Sequence, residues 1–278
     1  MVEIHEDKVI KRVPSDVGLV AEKYRALHKI SAGADFRAPV VLGIDGKNMT
    51  IALERIHDIE SSRVAYREFM SAAEPSNHSL KLFERIGKSL AYIHSTLYCD
   101  MRCKVWKPSR LFASAVEDYG FTESLWPENE PLVQLHGDYG FANVMVRGLD
   151  QANPEIVIID PCSDGYSCAY DWAQGPRYLD LAKMLLSLEG KVPYTYQYCI
   201  RNKRVCQLQG AFIKGYEAIY GRNLNLSLCY AYAYALGVCY FSARYPVSGG
   251  LRKTVLYNRR LRKNFPLDVK VENYNLGR

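Results

Sequence analysis

Three side chains in two nearby stretches have the types and spacing that phosphoryl transfer needs. The first stretch is Leu135-His136-Gly137-Asp138-Tyr139-Gly140-Phe141-Ala142-Asn143, the second Ile156-Val157-Ile158-Ile159-Asp160. Asn143 follows Asp138 by five positions, and Asp160 follows it by 22. Moving a phosphoryl group to a hydroxyl asks little covalent chemistry of a protein. It asks for an oriented acceptor oxygen and for metal ions that hold and neutralise the phosphates. Asp138 suits the acceptor hydroxyl and its proton, while Asn143 and Asp160 offer the hard oxygen ligands that Mg²⁺ prefers. Tyr139-Gly140-Phe141-Ala142 would be the tight loop that turns Asp138 and Asn143 toward one cleft. The plainer reading is a β-turn using Asp and Asn for turn chemistry, followed by a strand that ends in Asp.

The surrounding elements have to position these groups. Lys8–Val13 reads as a short β-branched strand, broken by Pro14-Ser15-Asp16. A helix follows through Ile30, with Val20, Tyr24, Leu27 and Ile30 at the spacing of a core-facing stripe. Pro39–Ile44 and Met49–Leu53 read as two strands joined by the turn residues Asp45-Gly46-Lys47-Asn48. Leu80–Leu97 is the strongest helix, with Leu80, Phe83, Gly87, Leu90, Ala91, His94 and Leu97 on one stripe. Gly87 there would permit close helix packing, and His94 reads as a satisfied core or helix-end histidine. Residues 99–132 look like loops around short helices, suited to an acceptor-specific insertion or to a surface connection anchored by its tryptophans. A helix after Asp180 presents Leu181, Met184, Leu185 and Leu188 on one face, and two more span Val205–Tyr220 and Leu226–Phe241. The tyrosines of the last helix suit a cation site, but aromatic stripes at helical spacing are more often core.

His-Gly-Asp, four residues, Asn, and then an apolar strand ending in Asp-Pro resembles the aminoglycoside phosphotransferase and choline kinase-like family. The resemblance covers residues 8–245 in the order of elements, with its specific motifs within 136–180. It implies an α+β, two-lobed protein-kinase-like fold. A small antiparallel-sheet lobe over residues 1–56 would bind nucleotide, and a larger, mostly helical lobe over 57–278 would carry catalysis and the acceptor. In such folds a strand lysine touches the phosphates and is held by a helix glutamate. Lys11 and Glu22 fit those roles, with Lys8 as the competitor for Lys11. Asp138 becomes the base or hydroxyl orienter, and Asn143 and Asp160 the Mg²⁺ ligands. Glu54 and Ile56 fall at the hinge where adenine meets backbone groups. Asp180 would accept N–H groups from the catalytic loop, and His136 would orient that loop. Asp164 and Arg177 could reach the acceptor or be solvated loop residues.

One feature departs from the pattern. Kinase folds cover the phosphates with a Gly-rich loop between two strands that precede the lysine strand. Only ten residues precede Lys11, and the first glycine is Gly18. One strand fits there, roughly Val2–His5, so the phosphate lid is expected to be abbreviated, supplied by another element, or lost through a shortened N-terminus.

Composition narrows the function classes. The 278 residues are 48% hydrophobic and 24% charged, an ordinary globular balance. The net charge of +6 is carried by residues 251–278, with eight Lys/Arg against Asp268 and Glu272. The rest is balanced, which argues against a nucleic-acid footprint. The basic tail is either a solvated helix face or a contact for an anionic surface. Eight cysteines contain no Cys-x-x-Cys pair, and no apolar run approaches the ~20 residues of a membrane span. The polar start and the thiol usage point to a reducing cytoplasm. The sequence thus predicts an ATP- or GTP-dependent, Mg²⁺-using kinase of a small-molecule hydroxyl. Aminoglycosides, choline or ethanolamine, amino-alcohols and sugars all fit as acceptors. The alternative is a catalytically weak nucleotide-binding or scaffold protein derived from the same fold.

Overall fold

The computed structural model describes residues 2–13, 17–74, 76–97, 104–120, 130–161, 172–189 and 203–244. Asp164, residues 99–103 and 121–129 of the 99–132 segment, and the basic tail lie outside the described residues. The chain opens with β1 (Val2–Ile4) and β2 (Lys8–Arg12), then α1 (Val17–Ser31), β3 (Val41–Asp45) and β4 (Thr50–Glu54). The four strands form one antiparallel sheet in the order β1-β2-β4-β3. The turn between β3 and β4 is closed by the Asp45 carboxylate, which accepts from Lys47 N at 3.0 Å and Asn48 N at 3.1 Å. α1 packs on this sheet through a small core of Val13, Val17, Val20, Ala21, Tyr24, Ile51 and Leu53. A single strand, β1, precedes the lysine strand, and the connection His5-Glu6-Asp7 holds no glycine.

The second part is mostly helical. It comprises α2 (Arg63–Ser71), α3 (Asn77–Thr96), α4 (Arg110–Tyr119), α5 (Tyr178–Leu188), α6 (Lys203–Tyr220) and α7 (Leu226–Arg244). Two small sheets sit among the helices. One is β5 (Ile59–Ser61), β8 (Val144–Arg147) and β9 (Glu155–Ile158), and the other is β6 (Lys104–Val105), β10 (Trp172–Gly175) and β7 (Val133–Gln134). The two parts are stitched together at Arg37, whose N–H donates to Ile156 O and whose carbonyl accepts from Ile158 N, both at 2.8 Å. This is the two-lobed α+β architecture expected from the sequence.

α3 is the axis of the helical part. Ser76 caps it, accepting from His78 N at 3.0 Å, and its apolar stripe of Leu82, Phe83, Ile86, Leu90 and Ile93 is buried. It lies against α6 backbone to backbone, because glycines face each other at the crossing. A Cβ on Gly87 would sit 2.0 Å from Phe212 O, and one on Gly215 would sit 1.9 Å from Glu84 O. The tyrosines of α7 are largely core: Tyr232 and Tyr234 are buried between α4 and α5, and Tyr230 packs against the same cluster. Gly87→Ala is therefore expected to destabilise the protein by about 3 kcal/mol or more, beyond ordinary overpacking, because backbone atoms must move. Urea unfolding measures this, and an exposed control such as Gly46→Ala is expected to change little.

Candidate active site

The three chemistry-bearing residues meet where the β8–β9 hairpin opens. Val144 and Ile158 are register partners, and Ile159 N donates to Asn143 O at 2.9 Å, so Asn143 and Asp160 lie side by side at the end of one ladder. Asn143 is buried, and its Nδ2 donates to Asp138 O at 2.9 Å and to Asp138 Oδ2 at 3.0 Å. One carboxamide thus closes the loop that begins at Asp138. Tyr139 anchors the loop in the core by donating from its hydroxyl to Ile86 O at 2.9 Å, and burial pushes its phenol well above the usual range. Ser61 Oγ holds the other side through Phe141 O at 2.6 Å.

His136 and Gly137 lead into the loop and are held by one buried carboxylate. Asp180 Oδ2 accepts from His136 N at 2.7 Å, and its Oδ1 accepts from Gly137 N at 2.9 Å. Gly137 has φ +96°, a conformation that costs other residues more, so the turn into Asp138 favours glycine. His136 Nε2 lies 2.9 Å from Ile159 O, and its Nδ1 accepts from Asp138 N at 3.3 Å. One imidazole therefore ties the strand before Asp160 to the turn before Asp138. Behind Asp180 the network continues. His94 Nε2 lies 3.0 Å from Asp180 Oδ2, Tyr216 OH lies 2.7 Å from His94 Nδ1, and Arg177 Nη1 donates to Tyr216 OH at 3.1 Å. Arg177 then reaches Glu130, which also accepts from Tyr178 OH at 2.9 Å. Arg177 is buried in this support rather than exposed toward an acceptor.

Burial lowers the pKa of His94, with Asp180 opposing the shift, and burial does the same to His136. Burial also pushes the Asp180 carboxyl up, but His94, His136 and the Gly137 N–H outweigh it and hold it below the usual carboxylate range.

The first part of the chain supplies cations to this cleft. Lys11 Nζ lies 2.8 Å from Asp160 Oδ2. Lys8 sits on the other face of β2, opposite Glu54 in the ladder. Glu22 is exposed on α1, and the residues that turn inward are its successors Lys23 and Tyr24. Lys23 Nζ donates to His136 O at 3.4 Å. The Tyr24 hydroxyl accepts from Asp160 N at 3.0 Å and donates to Asp160 Oδ1. Asp160 has φ +54°, a left-handed conformation that Asp tolerates better than most side chains. From α5, Lys183 contacts the Asp138 carboxylate. Glu54 contacts Arg37 and accepts from Val40 N at 3.2 Å, and Ile56 is buried just past β4.

Sequence reasoning placed Tyr24 in the core and did not single out Lys23 or Lys183. Lys183 carried a usable signal, since it stands three residues past Asp180 and so on the same side of the helix. Lys23 and Tyr24 carried one as well, since the Val20, Tyr24, Leu27 and Ile30 stripe turns both inward and Glu22 outward at about 100° per residue, though it does not say which loops they meet. Among the described residues no group of three or more His, Cys, Asp or Glu gathers into a metal centre. A carboxylate and a carboxamide suit an ion that takes its other ligands from substrate and water.

Two outcomes follow from the network around Asp180. Asp180→Ala leaves His94, His136 N and Gly137 N without their acceptor, and is expected to cost about 3 kcal/mol or more in urea unfolding, since each buried polar group left unsatisfied costs about 1–3 kcal/mol. His94 and His136 are neutral when buried, with folded pKa values below the ordinary 6.5. The folded state then binds fewer protons than the unfolded one, so their contribution is complete above about pH 6.5 and declines as pH falls below it. Tm is expected to drop between pH 7 and 5, with a shallower slope in His94→Gln.

No protein-family model matches this sequence, and no curated protein matches it. Solved structures do. A choline/ethanolamine kinase family protein from Mesorhizobium loti is similar over 95% of this chain and 88% of its own, at 13% identity and a TM-score of 0.50. Spectinomycin phosphotransferase APH(9)-Ia, solved with ADP and spectinomycin, covers 95% of this chain and 87% of its own at 16% identity and a TM-score of 0.53. The GDP and kanamycin complex of APH(2")-IIia covers 93% and 87% at 12% identity and a TM-score of 0.58. Among the described residues no helix is long and apolar enough to cross a membrane. The chain therefore has the two-lobed kinase-like fold that these choline kinase-like and antibiotic phosphotransferase structures share.

Proposed function

We propose that this protein is a phosphotransferase that moves the γ-phosphate of a nucleoside triphosphate to a hydroxyl of a small molecule. The convergence of Asp138, Asn143 and Asp160 at the mouth of one hairpin carries this reading. Asp138 accepts the hydrogen bond of the acceptor hydroxyl and takes its proton as the phosphoryl group transfers. Asn143 holds Asp138 in place and shares with Asp160 the binding of Mg²⁺. Bound there, the ion would supply charge neutralisation at the phosphates. Lys11 leaves Asp160 for the phosphates when nucleotide enters. Lys183, already beside Asp138, keeps that carboxylate oriented and adds positive charge where the transferred group passes. We place the lobe boundary near Ile56, with adenine against the backbone there. Glu54 N and Arg55 N already donate to Val40 O and Asp7 O, which supports Ile56 over Glu54 as an amide open to the base. ATP and GTP both fit, and the reaction needs a compartment stocked with them, such as the cytoplasm.

A second reading is a nucleotide-binding protein that transfers nothing. It is favoured by the internal pairing of the site, with Lys11 on Asp160 and Lys183 on Asp138, and by the absence of glycine between β1 and β2. Thermal shift with ATP and Mg²⁺, followed by turnover with pooled aminoglycosides, amino-alcohols and sugars, separates the two. Stabilisation with transfer is expected, and stabilisation without transfer to any acceptor favours the second reading. Asp138→Asn is expected to lower turnover by about 10²- to 10⁴-fold, the usual weight of a positioned base, with nucleotide binding retained. Unchanged turnover removes Asp138 from this role.

A further inference from the structure

The strand lysine of this site is not matched to a helix carboxylate. Glu22 is exposed, while the next two residues of α1 reach the two loops that carry the site. Lys23 is 1% exposed and Tyr24 0%, so both side chains are committed to the interior. Successive residues on a helix point about 100° apart, which lets one helix edge address two loops at once. The Lys23 ammonium takes the carbonyl of His136, two residues before Asp138. The Tyr24 hydroxyl takes both the N–H and the Oδ1 of Asp160. With Oδ1 tied, Oδ2 is the oxygen turned to a cation, and it faces Lys11 Nζ at 2.8 Å.

We propose that Lys23 and Tyr24 are positioning residues through which α1 holds the two loops of the site, in place of a helix carboxylate that holds the strand lysine. Tyr24 fixes the main chain and one carboxylate oxygen of Asp160, so that the other is presented to the metal of the nucleotide. Lys23 fixes the turn that aims Asp138. A residue behind a ligand commonly changes metal affinity by about 10- to 100-fold when removed. The inference rests on the phosphotransferase reading above, and its test separates the two.

Tyr24→Phe removes one oxygen and keeps the buried ring. Lys23→Met removes the ammonium and keeps the length of the side chain. Mg²⁺ is titrated into each purified protein with ADP, following thermal shift and calorimetry, and ADP binding is repeated in EDTA. Tyr24→Phe is expected to raise the Mg²⁺ midpoint about tenfold or more, with ADP binding in EDTA unchanged. Lys23→Met is expected to leave the midpoint within about threefold and to lower ATP turnover about tenfold or more, to an acceptor or to water. A Tyr24→Phe midpoint equal to wild type overturns the proposal. So do equal midpoint shifts in both variants, which would mark α1 as merely structural, and a Tyr24→Phe chain that fails to fold. Wild-type protein that binds no ADP in a Mg²⁺-dependent way overturns the phosphotransferase reading itself, and the proposal with it.

Discussion

The buried carboxylate of Asp180 is the constraint on which the active-site geometry depends. A charge this deep is tolerated only when its hydrogen bonds are filled. Here they are filled by the N–H groups of His136 and Gly137 and by the His94 ring. The carboxylate thus enforces a particular path for the chain entering Asp138. Because α5 carries Asp180, α3 carries His94 and α6 carries Tyr216, the loop is referenced to three packed helices rather than to its own turn. The Gly87–Gly215 crossing lets α3 and α6 come close enough for His94 and Tyr216 to meet.

The same logic extends to the metal side. The Asp160 backbone departs from strand geometry into the left-handed region, just after the last residue of the β8–β9 ladder. Such a conformation persists when its surroundings over-determine it. His136 holds Ile159, Asn143 pairs with it, Tyr24 grips Asp160 N, and Lys11 sits on the carboxylate. The two loops are therefore joined to each other through His136 and to the small sheet through α1.

Charge balance in the cleft follows from that arrangement. Each carboxylate that would meet a metal or a hydroxyl now faces a lysine: Asp160 has Lys11, and Asp138 has Lys183. Two bare carboxylates facing one cleft would repel each other. The lysines offset that repulsion.

Much of this was legible in the sequence. The His136–Asn143 stretch and Ile156–Asp160 carry unusual residue types at fixed separations, and local chain stiffness turns such spacing into a loop and a strand end. The strong helices α3, α6 and α7 and the β3–β4 hairpin could likewise be read, because hydrophobic period and turn residues are local signals. Sequence alone put Tyr24 on the core-facing stripe of α1 but did not show that Tyr24 reaches Asp160 and Lys23 the carbonyl of His136. Those contacts depend on the rotation of α1 against its sheet, and a single residue changes the facing direction by about 100°. Nor could it show that Lys183 meets Asp138, or that Arg177 is buried in support of Tyr216, since those partners are distant in the chain and are joined only by helix packing. The sequence by itself determined which groups could do the chemistry, because residue type and near spacing are properties of the chain. The tertiary structure alone decided which cations stand beside them, because those contacts form only when separate helices and strands pack against one another.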